Sequence, residues 1–366
     1  MKFIINREQL LSPLQQIVSV IEKRQTMPIL SNVLLVMEND QLTLTGTDLE
    51  IQIIANLDVA NATPGAITVP ARKFLDICRL LPTGADIKLE LQDDKVKILS
   101  NRSRFSLSCL PAENYPEFAE SELEHEFVIN AGQLKKALEK TIFCMANQDV
   151  RYYLNGLLLN ISNSKLKLVG SDGHRLAVFE DRLEQAAGFE ARIILPRKGV
   201  QELNRLLDDP DIELKVEFSN NNVRIFIKNL IFSAKLVDAK YPDFSKVFGQ
   251  DFLNQIHIQK QLFKESLTRV AILSNEKFKG VTLDITPDSM RISTHNPEHD
   301  EAEEELYIEY TGEPLTIAFN AQYLLDAVSN LDSELAVLTI ASNVSSCIID
   351  EPNDSVYKFV VMPMRL

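Results

Sequence analysis

Apolar residues recur at mixed spacings of three and four in "NREQLLSPLQQIVSVI" (6–21), "NAGQLKKALEKTIFCM" (130–145) and "QKQLFKESLTRVAILS" (259–274). That periodicity lays one apolar stripe along a helix, so each segment is predicted to be a helix with one buried face. Pro13 lies inside the first and, lacking an N–H, predicts a kink or a late start. A second helical set follows: "VPARKFLDICRLLP" (69–82), "LPRKGVQELNRLLD" (195–208) and "FNAQYLLDAVSNLD" (319–332). Pro70 and Pro196 suit the first helical position, and Asn320 suits a side-chain cap. Between the helices lie strand-like runs: "LTLTGTDLEIQI" (42–53), "LKLVGSDGHRLAVF" (166–179) and "MRISTHNPEHDEAEEEL" (290–306). Strict alternation marks "DIKLELQDDKVKIL" (86–99) and "DIELKVEFSNNNVRIFI" (211–227) as strands, with turns at Asp93-Asp94 and Asn220-Asn221-Asn222.

The features return in the same order. Thr47-Asp48, Ser171-Asp172 and Thr294-His295 are offset by 124 and 123 residues. Pro70, Pro196 and Asn320 are offset by 126 and 124, and Leu110, Leu236 and Met362 by 126 and 126. One module of about 125 residues therefore occurs three times in the 366-residue chain. The predicted class is α+β: three tandem copies of a unit in which two helices pack on antiparallel sheet. The Pro- and acid-containing stretches at 111–126 and 238–252 place the boundaries at 1–122, 123–250 and 251–366.

Composition is that of a globular protein, 45% apolar and 25% charged. No apolar run approaches the roughly 20 residues that span a bilayer, and "MKFIINREQLL" lacks the apolar core of a signal peptide. Cys78, Cys109, Cys144 and Cys347 are scattered in apolar segments, which predicts reduced, buried thiols and a cytoplasmic location. The net charge of −14 argues against a polyanion partner until its distribution is considered. The six helical segments carry 13 basic and 8 acidic residues, a net +5, so the rest of the chain nets −19. Either the helices carry ordinary solvated cations, or a helical face meets a polyanion that the outer sheet surface repels.

Three clusters hold candidate chemistry. In "SDGHRLAV" (171–178), Ser171, Asp172 and His174 are too close in sequence to converge if the segment is extended, so a catalytic site is not expected. A core or turn histidine is the plain reading, and a hydrolase using Asp172 and His174 is the rival. The Tyr152-Tyr153 pair in "QDVRYYLNG" (148–156) is ordinarily core packing or strand surface. "THNPEHDEAEEEL" (294–306) offers His295, His299 and several acids, for which a solvated acidic loop is a better account than a metal site. No cofactor is expected.

The threefold repeat, with "LTGTDLE" (44–50), "VPARKF" (69–74), "QDVRYYLNG" (148–156), "DGHRLAV" (172–178), "PRKGV" (196–200), "AILSNEKF" (271–278) and "VVMPMRL" (360–366), closely resembles the bacterial DNA polymerase III β subunits, the sliding clamps. The resemblance implies a non-catalytic processivity factor. It would form a closed head-to-tail homodimer that encircles double-stranded DNA without reading its sequence. Helices would line the hole, and topology rather than affinity would hold the ring on DNA. By the same resemblance, Arg24, Gln148, Tyr152 and Tyr153 reach toward DNA, with Arg72, Arg197 and Lys198 as further phosphate contacts. A groove for partner peptides would be lined by Leu154, Ser171, Gly173, His174, Arg175, Leu176, Pro242, Lys246, Val247, Val360, Met362, Pro363, Met364, Arg365 and Leu366. Ser171 and Lys246 stand where the family more often has Thr and Arg. The implied partners are the replicative polymerase's catalytic subunit, the clamp loader and other proteins with clamp-binding motifs, and no membrane. At the self-interface, Glu298, Glu301, Glu303 and Glu304 would face Arg102, Arg104 and Lys73 of the neighbour, while Phe105 and Leu107 pack on Ile272, Leu273 and Phe278. A static acidic scaffold that never meets DNA is the remaining alternative.

Overall fold

A computed structural model describes residues 1–22, 27–118, 122–248, 254–342, 345–353 and 356–365. The expected boundary at 250/251 lies outside the described residues. The element order repeats three times. The first pass runs β1 (Lys2–Asn6), α1 (Arg7–Val20), β2 (Asn32–Glu38), β3 (Gln41–Thr47), β4 (Ile51–Asp58), β5 (Gly65–Pro70), α2 (Ala71–Leu80), β6 (Asp86–Gln92), β7 (Lys95–Ser100) and β8 (Ser103–Ser108). The second runs β9 (His125–Asn130), α3 (Ala131–Glu139), β10 (Gly156–Ser162), β11 (Lys165–Ser171), β12 (Arg175–Arg182), β13 (Glu190–Pro196), α4 (Arg197–Leu206), β14 (Glu213–Phe218), β15 (Asn222–Ile227) and β16 (Leu230–Lys235). The third runs β17 (Asn254–Gln259), α5 (Lys260–Val270), β18 (Gly280–Thr286), β19 (Ser289–His295), β20 (Glu301–Tyr307), β21 (Leu315–Asn320), α6 (Ala321–Ser329), β22 (Leu335–Ile340), β23 (Cys347–Asp350) and β24 (Tyr357–Val361).

The helices form where the apolar stripe predicts them. Leu10, Leu14 and Ile17 of α1 are fully buried at helical spacing, as are Phe263, Leu267 and Val270 of α5. Burying each such side chain contributes about 1.5–3 kcal/mol. Local details depart from expectation. Helix α1 starts at Arg7 under an Asn6 cap and continues through Pro13, so there is no late start. Pro70 and Pro196 end the preceding strands instead of taking the first helical position. Asn320 does cap, accepting from the Gln322 and Tyr323 amides. The 130–145 helix ends at Glu139, and a 3-10 turn over Ile142–Cys144 follows.

Each repeat supplies two four-stranded half-sheets. The chain gathers into two compact units: residues 1–135 with 198–238, and residues 136–197 with 239–366. In the first unit, the half β5-β2-β3-β4 joins β16-β15-β14-β9 into an eight-stranded sheet through the antiparallel pair β4–β16. In the second, β13-β10-β11-β12 joins β24-β23-β22-β17 through β12–β24. The halves β1-β6-β7-β8 and β20-β19-β18-β21 remain four-stranded, with β8 and β20 at their edges.

The strand registers correct the sequence alignment of the repeats. Thr47, Ser171 and His295 end β3, β11 and β19, and pair with Gln52, Leu176 and Glu301. His295, not Thr294, is therefore the counterpart of Thr47, and the third hairpin is one residue longer. Likewise Lys235 and Met362 are counterparts, since their amides bond the Glu50 and His174 carbonyls at 2.8 and 2.9 Å.

Candidate functional site

"SDGHR" folds as a tight turn between β11 and β12, not as the extended segment expected. Ser171 Oγ donates to the Arg175 carbonyl (2.8 Å) and accepts the Gly173 amide (3.1 Å). One Asp172 carboxylate oxygen accepts the His174 and Arg175 amides at 2.9 and 3.0 Å. The first repeat builds the same turn from "TDLEI". Thr47 Oγ1 donates to Ile51 O (2.8 Å) and accepts Leu49 N (3.0 Å). Asp48 accepts Glu50 N and Ile51 N at 2.9 and 2.8 Å. The shared Ser/Thr-Asp pair is thus a turn-forming device, since short polar side chains satisfy their own backbone. Its hydroxyl and carboxylate are committed to that task, and no nucleophile–base pair forms. The thiols are no better placed: burial raises their pKa values, that of Cys78 to about 12.

What differs between the two turns makes a site. Gly173 has φ +86°, where its counterpart Leu49 has φ 78°. A Cβ on Gly173 would lie 2.6 Å from Arg151 Nη1. The bare position lets the Arg151 guanidinium lie over the turn, donating to the Asp172 carbonyl at 3.1 Å and to Asp149 at 2.8 Å. Arg151 chiefly holds the Asp149 carboxyl down at about 2, with a smaller contribution from His174. The His174 side chain is exposed. Leu176 and Val360, paired across β12–β24, are buried, as is Leu154; Met362, whose amide bonds the His174 carbonyl, is 43% exposed, and Pro242 is exposed. The result is an apolar floor with an adaptable methionine at its rim, suited to an apolar peptide side chain.

Arg175 anchors this floor instead of facing a ligand. Only 13% of its side chain is exposed. Nε donates to Asp172 (3.0 Å), Nη1 to Asp326 on α6 (2.5 Å) and Nη2 to the Phe143 carbonyl (2.8 Å). The guanidinium carbon also lies 4.5 Å from the Tyr323 ring centroid. Asp326, Phe143, Tyr323 and Arg151 are not among the residues that the sequence singles out.

Met364 and Arg365 are also placed differently from the expectation. Met364 bonds Ala318 through its amide (2.7 Å), and both residues line a separate cavity beside Gly280 and Thr282. Val247 and Pro363 are half-exposed. Leu366 and the side chain of Lys246 lie outside the described residues.

Tyr241, which the sequence reading passed over in "KYPDF", is 4% exposed beneath the turn. Among the described residues its buried hydroxyl makes no hydrogen bond of ordinary geometry, although it lies beside the Ser171 backbone. Its first-repeat counterpart, Tyr115 in "NYPEF", donates to the Thr45 carbonyl at 3.2 Å. An unmade buried bond costs more than its absence. Tyr115→Phe is therefore expected to cost about 1 kcal/mol, and Tyr241→Phe to cost nothing or to stabilise. Urea melts of the two variants check this.

The expected DNA contacts fare unevenly. Arg24 lies outside the described residues. Gln148 (φ 57°) stands on an exposed loop and Tyr152 (58% exposed) opens a 3-10 turn over Tyr152–Asn155, with the Tyr153 ring 6.1 Å from that of Tyr152. Arg72 is exposed while donating to the Ile21 carbonyl at 3.0 Å. Arg197 and Lys198 are tied into the fold, which corrects the picture of free phosphate ligands. Arg197 holds the Met145 and Ala146 carbonyls at 2.9 and 3.2 Å. Lys198 pairs with Glu22 at 2.7 Å and with Asp48; burial opposes its charge, but the two carboxylates raise its pKa on balance.

At the expected self-interface, Lys73, Arg102, Arg104, Glu298, Glu301 and Glu303 are exposed. Ile272 is 75% and Phe278 53% exposed, Leu273 is exposed less, and Leu107 is 9% exposed. Glu304 departs from the expectation. It faces its own α5, bound by Arg269 at 2.5 Å and by Ser266, and its pKa falls to about 2.

Comparison with known proteins agrees with this architecture. Family models for the N-terminal, central and C-terminal domains of the DNA polymerase III beta subunit match residues 1–119, 128–243 and 245–365. The chain is 44% identical to the beta sliding clamp of Salmonella typhimurium and 43% identical to that of Escherichia coli, each over the full length of both chains. It superposes on the Pseudomonas aeruginosa sliding clamp bound to griselimycin with a TM-score of 0.97 at 41% identity, covering all of both chains. The Bartonella birtlesii clamp gives 0.96 at 34%, again with full coverage. Fold and site thus define a repeat-built clamp, not an enzyme. The chain belongs to the DNA polymerase III beta subunit family. It is a sliding clamp of DNA replication, a non-catalytic processivity factor that works with DNA and the polymerase. Among the described residues no helix is long and apolar enough to cross a membrane.

Proposed function

We propose that two copies of the chain close head to tail into a ring around duplex DNA. The apolar floor around His174 and Met362 would hold peptide segments of the polymerase, the clamp loader and other partners. The observation that carries this reading is the pair of half-sheets left open at β8 and β20. Inside the chain, a half of the β2-type is joined twice to one of the β6-type, through β4–β16 and β12–β24. One combination of the same kind, β20 with β8, is unmade among the described residues. Made between two copies, it closes with two identical joints.

The internal joints predict the register of that pair. Leu230 faces Ala55, and Arg175 faces Val361. Carried to their counterparts, these set Phe105 opposite Ala302, Arg104 opposite Glu303, Ser106 opposite Glu301 and Arg102 opposite Glu305. Two opposite-charge pairs then fall on one face, and an aromatic–small pair on the other. Leu80, 85% exposed, joins the expected contacts, because its counterpart Leu206 is 1% exposed at the internal joint. The sequence reading missed Leu80; only the repeat register singles it out.

A ring needs little attraction for DNA. Strong phosphate contacts would impede sliding, so cations paired within the fold, such as Lys198, suit the task. Partners gain by tethering, which raises their effective concentration at the template. The place of action is the cytoplasm. The test is retention on nicked circular DNA after loading. Linearising the circle should release the protein within the time it takes to slide off. Equal retention on circular and linear DNA would contradict topological binding.

A further inference from the structure

In the first repeat the outer face of β2 and β3 is covered by Tyr115, 8% exposed, whose hydroxyl reaches the Thr45 carbonyl. In the second repeat Tyr241 takes the same place beside Ser171, 4% exposed. Tyr115 follows a segment that runs back along the sheet. Leu110 bonds Thr68 in the first repeat as Met364 bonds Ala318 in the third. The strands are in register too: Leu34 faces Thr45, and Thr282 faces Ser293. Over the third repeat's strands, however, lies a cavity of about 420 Å³, lined by Phe278, Gly280, Thr282, His295 and Met364. A cavity of about 150 Å³ suffices for a benzene ring in a protein core.

We propose that this cavity binds a 4-hydroxyphenyl group, the group that fills the same place in the other two repeats. The ring packs against Met364, a favourable aromatic neighbour, with Phe278, also an expected self-interface residue, at the cavity wall. The hydroxyl donates to the Ser293 carbonyl, the counterpart of the Thr45 carbonyl that Tyr115 uses. The site is distinct from the floor around His174, and it stands whether or not that floor binds partner peptides.

The test uses the full chain and p-cresol as the probe, followed by saturation-transfer NMR and by crystal soaking. Saturable binding in the millimolar range is expected for so small a ligand. Toluene, which lacks the hydroxyl, should bind several-fold more weakly. Thr282→Phe, which fills the cavity, should lower p-cresol affinity at least tenfold. His295→Trp, at the rim, should do the same and serves if the first variant melts early. N-acetyl-tyrosinamide separates the sources: tighter binding than p-cresol assigns a peptide-borne tyrosine, weaker binding a free phenol. No saturable binding, equal binding of toluene, or binding undiminished in both variants would overturn the proposal.

Discussion

Arg175→Ala is expected to lower stability by about 3–5 kcal/mol while leaving the β8 edge unaffected. The guanidinium serves Asp172, Asp326 and the Phe143 carbonyl at once, with 13% of its side chain exposed. Removing it leaves two half-buried carboxylates without their cation, though each keeps other donors, and leaves the Phe143 carbonyl without one; that costs more than the pairs contribute while intact. It also unpins the 171–175 turn from α6, so the apolar floor beneath His174 loses its shape, and partner-peptide affinity should fall with it. Adding Asp326→Ala to Arg175→Ala should cost little more, because the stranded carboxylate is then gone. Denaturant melts of the four proteins of this cycle check the coupling. A cost of under about 1 kcal/mol for Arg175→Ala would show that the guanidinium is not the anchor described.

The second large effect concerns assembly. Phe105→Asp should convert a species of twice the 41.4 kDa chain mass into one of 41.4 kDa in equilibrium sedimentation. Phe105 sits on the edge strand β8, half-exposed in the single chain, so the variant should still fold. In the proposed joint the new carboxylate would be buried beside Ala302 with no cation facing it. Losing a central apolar contact typically costs about 2–4 kcal/mol at one joint, and a ring contains two. Arg104→Ala, on the opposite face, should weaken the dimer far less, because exposed pairs contribute about 1 kcal/mol or less. An unchanged dimer mass in Phe105→Asp would place the interface elsewhere.

Much of this was legible in the sequence. The threefold module, the six helices and the alternating strands follow from periodicity, because each helix must bury one stripe and each strand one face. The turn at 171–175 was legible only as one plain reading of His174, beside a core position and an extended segment. Ser-Asp before a glycine and a histidine leaves a hydrolase as a rival reading until "TDLEI" is seen to fold identically. Alignment by residue type set Thr294 against Thr47, and one extra hairpin residue, visible only in the strand pairing, shifts the match to His295. The pairing of Arg175 with Asp326 spans 151 positions and exists only because β12 joins β24. No local pattern encodes it. The fates of Arg197 and Lys198 were likewise hidden, since a count of helix cations cannot tell a solvated charge from one held by Glu22 and Asp48.

In the proposed ring, β8 of one copy completes the half-sheet ended by β20 of another, in the register that the internal joints set. Ser106→Cys combined with Glu301→Cys tests it directly under mild oxidation. A disulfide-linked dimer should form in high yield, and neither single variant should give one. The pairing Ser106→Cys with Glu303→Cys, two residues out of register, should cross-link poorly. If the matched pair fails to link while the protein remains folded, or if the mismatched pair links as well, the two edges do not meet as proposed.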